Sequence, residues 1–525
     1  MDDLAEVQHL LRHLNDLTGL RKNALVSPLF ARGDVGDHEL HAQIRRIVLQ
    51  AVEALARDHG NDGPDSASRW QSIIRRCDLQ GELHANVAAD LGLGSRQFYR
   101  VRRRMHELLR ETIFHEFENL NRSTQYVPST AELGIDLARS MHQHGRGTDA
   151  AARLLDIASS APESAQRLVA IAELSRIYFD LGRAREIGPL IESAHTLCYG
   201  PTATGDPLME AYVHLAESIY AASCNDLPGQ IESLRRAQVR AMAAPTTFRA
   251  IDVYLEGTID LAEAHIALGD ADAADHYGEA ARARLSHRPG FGLRRAQLAQ
   301  VAGAAATLRG AYREAMIHLN ECLAIARDAN LPTLRLRAAR SIASVQITAE
   351  DYSAAREHGR NALLLADAIG NPFQIATTMG ILAWIELESK HPVQAIALLK
   401  RTRRSYPHNR FTQSLDDTVM AAALSRTGRI PEAVSLVEKT SDTLRRDGLL
   451  RYLGRTEVHR AEIYVRAGRV DDARDAIGNA VELLESHGTK AALASAYRVS
   501  GELTGNAKHV ALAAELTSKI SAAFA

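Results

Sequence analysis

The chain has 525 residues, too many for one hydrophobic core to organise, so it is either several domains or an elongated repeat protein. Alanine and leucine dominate while aromatics make up 5%, which disfavours sheets rich in β-branched and aromatic residues and predicts an all-α protein. Basic and acidic residues nearly cancel, 62 against 64, so any nucleic-acid site must be a local patch.

In chain order, apolar residues at helical spacing (Leu4, Val7, Leu10, Leu11, Leu14, Leu17) predict a first amphipathic helix. A second follows over 37–57 with Ile44, Ile47, Val48, Val52 and Leu55. The turn-forming stretch 60–66 breaks the chain, after which Ser66 or Ser68 can cap a third helix carrying Trp70, Ile73 and Ile74.

Residues 84–110, HANVAADLGLGSRQFYRVRRRMHELLR, carry the first informative pattern. Val87, Ala88, Leu91, Leu93, Phe98 and Val101 sit at the intervals two short, steeply crossed helices require. Gly92 falls at the turn, where a left-handed backbone is needed, and Ser95 is placed to cap the second helix. From 95 to 110 there are six arginines against one acidic residue, Glu107. The run VAADLGLGSRQFYRVRRR resembles the helix-turn-helix of bacterial regulators, in the version shared by sigma-factor region 4 and related activators. In such folds the N-terminal part of the second helix enters the major groove of double-stranded DNA. The resemblance therefore implies a DNA-facing set of Ser95, Arg96, Gln97, Tyr99, Arg100 and Arg103, with Arg102, Arg104 and Arg110 meeting phosphates. The bland alternative is a helical hairpin with a solvated basic face.

The polar stretch 119–129 reads as a linker, with Pro128 and Ser129 placed to start a new helix. Beyond it the chain repeats itself. Small residues recur at Ala262, Gly303, Ala343, Ala383, Ala421 and Ala461, with steps of 38 to 41 residues. Each is followed twelve residues later by an alanine: Ala274, Ala315, Ala355, Ala395, Ala433 and Ala473. Turn residues lie between the two, as in LGDADAA and AGRVDDA, so each unit is helix, turn, helix. Neither helix can bury its apolar face alone; stacking the units solves this.

This pattern resembles the TPR family in its longer variants, and the likeness is good over 167–490. It implies an α-solenoid of about ten hairpins over 130–525, behind an N-terminal segment (1–65), a helix-turn-helix domain (66–118) and the linker (119–129). The inner wall of such a superhelix is lined by first helices. The register places Arg176, Glu256, Glu263, Gln297, Gln300, Arg337, Arg340, Trp384, Glu388 and Arg455 there. Gln297, Gln300, Arg337, Arg340 and Trp384 combine amides, guanidinium groups and an aromatic, a surface suited to a peptide or protein ligand.

A helix-turn-helix ahead of a TPR array resembles the peptide-responsive quorum-sensing regulators. That likeness implies a homodimeric transcription regulator whose array senses a ligand; the alternative is an interaction scaffold that does not bind DNA. The reading expects no enzyme and no cofactor: the sequence has no G-x-x-x-x-G-K-[ST] loop, no H-E-x-x-H and no G-x-S-x-G. Cys77, Cys198, Cys224 and Cys322 are scattered, and the His142 and His144 pair lacks further ligands, so no metal is expected. With no apolar run of about 20 residues and an acidic start, a cytoplasmic protein without a membrane partner is expected.

Overall fold

A computed structural model describes residues 3–31, 37–56, 72–122, 129–201, 205–285, 291–328, 331–405 and 410–524. The turn 60–66, the expected cap at Ser66 or Ser68, Trp70 and Pro128 lie outside the described residues. Every regular element among those described is a helix.

The longer N-terminal helices are α1 (Asp3–Arg12), α2 (Asp37–Ala56), α3 (His84–Asp90) and α4 (Ser95–Arg122), with short helical segments at Leu17–Leu20, Ser27–Ala31 and Ile74–Leu79. Then come α5 (Thr130–Gln143), α6 (Gly147–Ser160), α7 (Ser164–Asp180), α8 (Ile187–Tyr199), α9 (Pro207–Ser223), α10 (Leu227–Ala243), α11 (Phe248–Leu268), α12 (Ala271–Leu285), α13 (Gly292–Arg309) and α14 (Tyr312–Asp328). The chain continues with α15 (Pro332–Thr348), α16 (Tyr352–Ile369), α17 (Pro372–Glu388), α18 (Pro392–Ser405), α19 (Arg410–Arg426), α20 (Ile430–Arg446), α21 (Leu450–Arg466), α22 (Val470–His487), α23 (Lys490–Thr504) and α24 (Ala507–Phe524). From α5 onward twenty helices follow one another among the described residues, and α5/α6, α13/α14, α15/α16, α17/α18, α19/α20, α21/α22 and α23/α24 pack as hairpins.

Two compact units emerge, residues 1–177, 190–216 and 242–252 in one and 178–189, 217–241 and 253–525 in the other. The division falls within the repeats. The reason lies in α4, whose second half buries Met105, Leu108, Leu109, Ile113 and Phe117 at helical spacing. Both α1 and α2 pack on α4, and α2 and α4 also pack on α5, so the first repeat helix shares a core with the N-terminal helices. Ser129 caps α5 in a reciprocal box: its Oγ accepts from the Glu132 backbone N–H at 3.1 Å, and its own N–H donates to the Glu132 carboxylate at 2.9 Å.

In the second unit the alanine ladder is the contact line between helices. Ala262, Ala343, Ala383, Ala421 and Ala461 are completely buried, as are Ala274, Ala315, Ala355, Ala395, Ala433 and Ala473 twelve residues on. Where the ladder has Gly303, a Cβ atom would stand 2.7 Å from Leu319 Cγ, so the α13/α14 crossing tolerates no side chain. Each hairpin turn places one residue in the left-handed region seven positions after the first small residue: Gly269, Gly310, Glu350, Lys390, Gly428 and Gly468. Hairpins far apart in sequence also touch. Arg451 Nη1 donates to the Ile266 carbonyl at 3.0 Å, and Asn225 Nδ2 lies 3.3 Å from Asp447 Oδ2. The Tyr312 ring stacks on Phe524 of α24 with centroids 5.0 Å apart.

Candidate nucleic-acid interface and ligand groove

Residues 84–110 lie wholly in the first unit. Val87, Ala88 and Phe98 are buried with Ile73 and Cys77, and Leu91, Leu93 and Val101 pack against them; all six apolar positions singled out in the sequence meet in one cluster. The reversal between α3 and α4 is held by the Leu93 N–H donating to the Ala88 carbonyl at 2.9 Å. Gly92 adopts φ +63°, and a Cβ there would meet nothing within 4 Å, so the glycine is required by backbone conformation and not by space. Gly92→Ala is accordingly expected to cost about 1–2 kcal/mol of unfolding free energy, measurable by urea denaturation. The cap falls one residue earlier than expected: α4 begins at Ser95, and the Gly94 carbonyl accepts the first helical hydrogen bond, from the Phe98 N–H at 2.9 Å.

Ser95, Arg96, Gln97, Tyr99, Arg100 and Arg103 are exposed. Arg96, Tyr99, Arg100 and Arg103 follow the i, i+3, i+4, i+7 spacing of a single helix face. Tyr99 is held edge-on between Phe98 and His84, at ring separations of 5.6 and 5.7 Å. Arg103 Nε pairs with Glu107 Oε1 at 3.0 Å within its own helix, leaving its side chain 73% exposed.

Two of the three arginines expected to meet phosphates, Arg102 and Arg104, do other work. Arg102 is buried, four residues beyond Phe98 and three before Met105, on the stripe that faces the core. Its guanidinium is bonded to the buried Asp78 carboxylate, which also accepts from His106 Nε2 at 2.9 Å, and His106 Nδ1 lies 3.2 Å from Gln8 Nε2 on α1. Burial by itself would raise the Asp78 carboxyl, but the hydrogen bonds from His106 and Arg102 outweigh it and hold the group below its ordinary value. Arg104 is half-buried and donates through Nη2 to the His144 carbonyl at 3.2 Å, tying α4 to the turn after α5. Arg102 is thus withdrawn into the core, and Arg104 is tied to a neighbouring backbone carbonyl. His142 and His144 do not form a metal cluster, and none occurs among the described residues. No helix among them is long and apolar enough to cross a membrane.

In the second unit, three of the five predicted groove residues, Gln300, Arg337 and Arg340, bond across to other first helices. Gln300 is buried, its Nε2 donating to Ser341 Oγ at 2.7 Å, so α13 is clasped to α15. Gln297 Oε1 accepts from Arg294 Nη1 at 3.1 Å, and Arg294 in turn reaches Glu256 of α11 at 2.7 Å. Arg337 forms an ion pair with Glu263, whose charge raises the guanidinium above its ordinary value. Arg340 Nη1 donates to Gln374 Oε1 at 2.9 Å, joining α15 to α17; burial, reinforced by Arg337, pushes Arg340 down to about 10. Gln300, Arg337 and Arg340 therefore help to order the stack.

Trp384 is different. It borders a cavity of about 980 Å³ within this unit, walled by first helices α15, α17, α19, α21 and α23 and by α24. Ser341, Asp416, Arg451, Arg455 and Phe524 also line it. The Arg455 guanidinium lies over the Trp384 ring, 4.6 Å from its centroid. Sequence register had turned Trp384, Glu388 and Arg455 inward together; the contributions of Arg451, Asp416 and Phe524 carried no signal, because they depend on how hairpins distant in sequence return to one another.

No protein-family model matches the chain, and no curated protein sequence does. Among solved structures it is similar to a Rap protein complexed with competence and sporulation factor, at 14% identity and a TM-score of 0.51, over 68% of this chain and 99% of that one. It is also similar to the apo form of the quorum sensor NprR from B. thuringiensis, at 13% identity and a TM-score of 0.45, over 67% of this chain and 97% of that one. At such identities the first of these likenesses speaks to the fold, and with the helical pairing above it makes this chain a TPR-like α-solenoid behind a helical N-terminal region.

Proposed function

We propose that the protein is a DNA-binding transcription regulator whose TPR-like array senses a peptide, protein or small ligand and so controls promoter binding by the helix-turn-helix. The observation that carries this reading is the exposed face of α4, where Arg96, Gln97, Tyr99, Arg100 and Arg103 project from the N-terminal turns while the opposite stripe is fixed in the core. Arginine suits guanine O6 and N7, glutamine suits adenine N6 and N7, and a helix presented by its first turns is the geometry that reads a major groove. The protein would act as a homodimer, since two recognition helices must match half-sites about 34–36 Å apart, and a modest change in the array would alter that separation.

Fluorescence anisotropy with duplex oligonucleotides across a salt series tests the DNA half. Affinity is expected to fall with salt at a log–log slope near −0.9 per phosphate contact. Arg96→Ala should cost about 1–3 kcal/mol and relax sequence preference, whereas the double variant Asp78→Leu with Arg102→Met, which removes the buried charge pair together, should leave the salt slope unchanged. Full-length protein that ignores duplexes of every sequence at low ionic strength, yet captures protein partners, would leave an interaction scaffold instead.

A further inference from the structure

The exposed face of α4 carries an aromatic ring among its cations. Arg96, Arg100 and Arg103 are exposed one turn before, next to and one turn after Tyr99, which is itself 52% exposed. An exposed tyrosine on a helix ordinarily samples several rotamers, but this one is confined. The buried Phe98 ring meets it edge-on at 5.6 Å, and the His84 ring, from α3, meets it edge-on at 5.7 Å. His84 also lies 5.9 Å from the Phe98 ring, so the three rings pack pairwise, and His84 Nδ1 is 3.4 Å from Tyr99 Oη. Burial, with the Arg102 charge nearby, lowers the imidazole below its ordinary value, so at pH 7 His84 is a neutral wall and adds no cation to the face. Flanking cations fit this face to an anionic backbone, and the apolar feature that base edges offer in a major groove is the thymine C5-methyl group. A ring already set by two others meets that methyl with little rotamer freedom left to lose.

We infer that Tyr99 reads one thymine of the bound DNA through its C5-methyl group, with His84 as the positioning residue that keeps the phenol ring turned outward. The methyl leaves water against the ring while the guanidinium groups of Arg96 and Arg100 meet base edges or phosphates. His84 acts without touching DNA: it braces the ring from α3 as Phe98 braces it from the core. Thymine is thereby told from uracil, a distinction that no hydrogen bond to a base edge can make. This deepens the DNA-binding reading above and rests on it.

The test lets the full-length chain select duplexes from a randomised pool at low ionic strength. Each thymine of the selected duplex is then replaced singly by deoxyuridine, which pairs alike but lacks the methyl, and affinity is read by fluorescence anisotropy. At least one replacement is expected to weaken wild-type binding about fourfold, the worth of one buried methyl group. On Tyr99→Ala that ratio should fall to unity, and on Tyr99→Phe, which keeps the ring, it should persist. His84→Ala should lower the ratio part-way and His84→Phe should restore it; thermal melts of all four variants confirm folding. A selected sequence without thymine, a wild-type chain indifferent to every replacement, or a ratio undiminished on Tyr99→Ala overturns the methyl contact while leaving DNA binding intact. So does a ratio lost on Tyr99→Phe, which would move the role to the hydroxyl. An undiminished ratio on His84→Ala overturns the positioning role. Retention of no duplex at all overturns the DNA-binding reading and this proposal together.

Discussion

Asp78→Ala is expected to destabilise the first unit by about 3–5 kcal/mol, because it strips the partner from a buried cation. Asp78, Arg102 and His106 are all shielded from solvent, and the carboxylate is bonded to both other groups. Removing it leaves the Arg102 guanidinium in the core with nothing to offset its lost hydration. The double variant Asp78→Leu with Arg102→Met should cost distinctly less than Asp78→Ala alone, since an apolar pair of similar volume has no charge to desolvate. The pH dependence has a definite sign. A carboxyl held below its ordinary value in the folded state contributes stability above the unfolded range, near pH 3.9. That contribution disappears as pH falls through the folded value, so acid should erode wild-type stability over an interval in which Asp78→Asn is flat. Urea denaturation between pH 7 and pH 3 reads both effects. A loss below about 1 kcal/mol for Asp78→Ala would mean that the network does not set the rotation of α4.

That network also marks where sequence reasoning stopped. The arginine run over 96–104 looks uniform on paper, yet one helical turn separates opposite fates. Arg96, Arg100 and Arg103 share the outward face, whereas Arg102 shares a stripe with Phe98, Met105 and Leu109. Helical spacing alone could have placed Arg102 inside; what it could not supply was Asp78, whose partner lies 24 residues away on a separate helical segment. The repeats were more legible because their signal is local and periodic. The alanine ladder located six successive hairpin turns of the second unit, including two that lack glycine. Glu350 and Lys390 occupy the left-handed region at φ +57° and +66°, where a search for turn glycines finds nothing. The ligand-facing set was legible only in direction. Register told which residues turn inward, but not that Gln300, Arg337 and Arg340 would be consumed by Ser341, Glu263 and Gln374 on neighbouring helices. Residue type marks the capacity to recognise something; whether that capacity is left over depends on contacts between repeats.

Gly269→Ala should be the most damaging single-methyl change in the second unit. At φ +87° any side chain already carries a penalty of about 1–2 kcal/mol. Here a Cβ would also stand 2.1 Å from the carbonyl oxygen of His487 and 2.8 Å from its carbon. Both obstacles are backbone, at the end of α22, so no side-chain rotation relieves the clash; the α11/α12 turn and the α22/α23 loop must separate. Overpacking of this kind adds about 1–3 kcal/mol. Gly428→Ala supplies the control. Its φ is +83° and nothing lies within 4 Å of its Cβ position, so it suffers the conformational penalty without the collision. The difference between the two variants in urea denaturation therefore isolates the contact between hairpins more than 200 residues apart. Hydrogen exchange should locate the damage, with faster exchange at 266–270 and 487–492 in Gly269→Ala and unchanged rates there in Gly428→Ala. Because Arg451 donates to the Ile266 carbonyl beside that contact and also lines the cavity, loosening it should widen the wall on the Arg451 side. Equal losses for the two alanine variants would show that the turn and the loop are not pressed together, and the cavity would then need no support from that quarter.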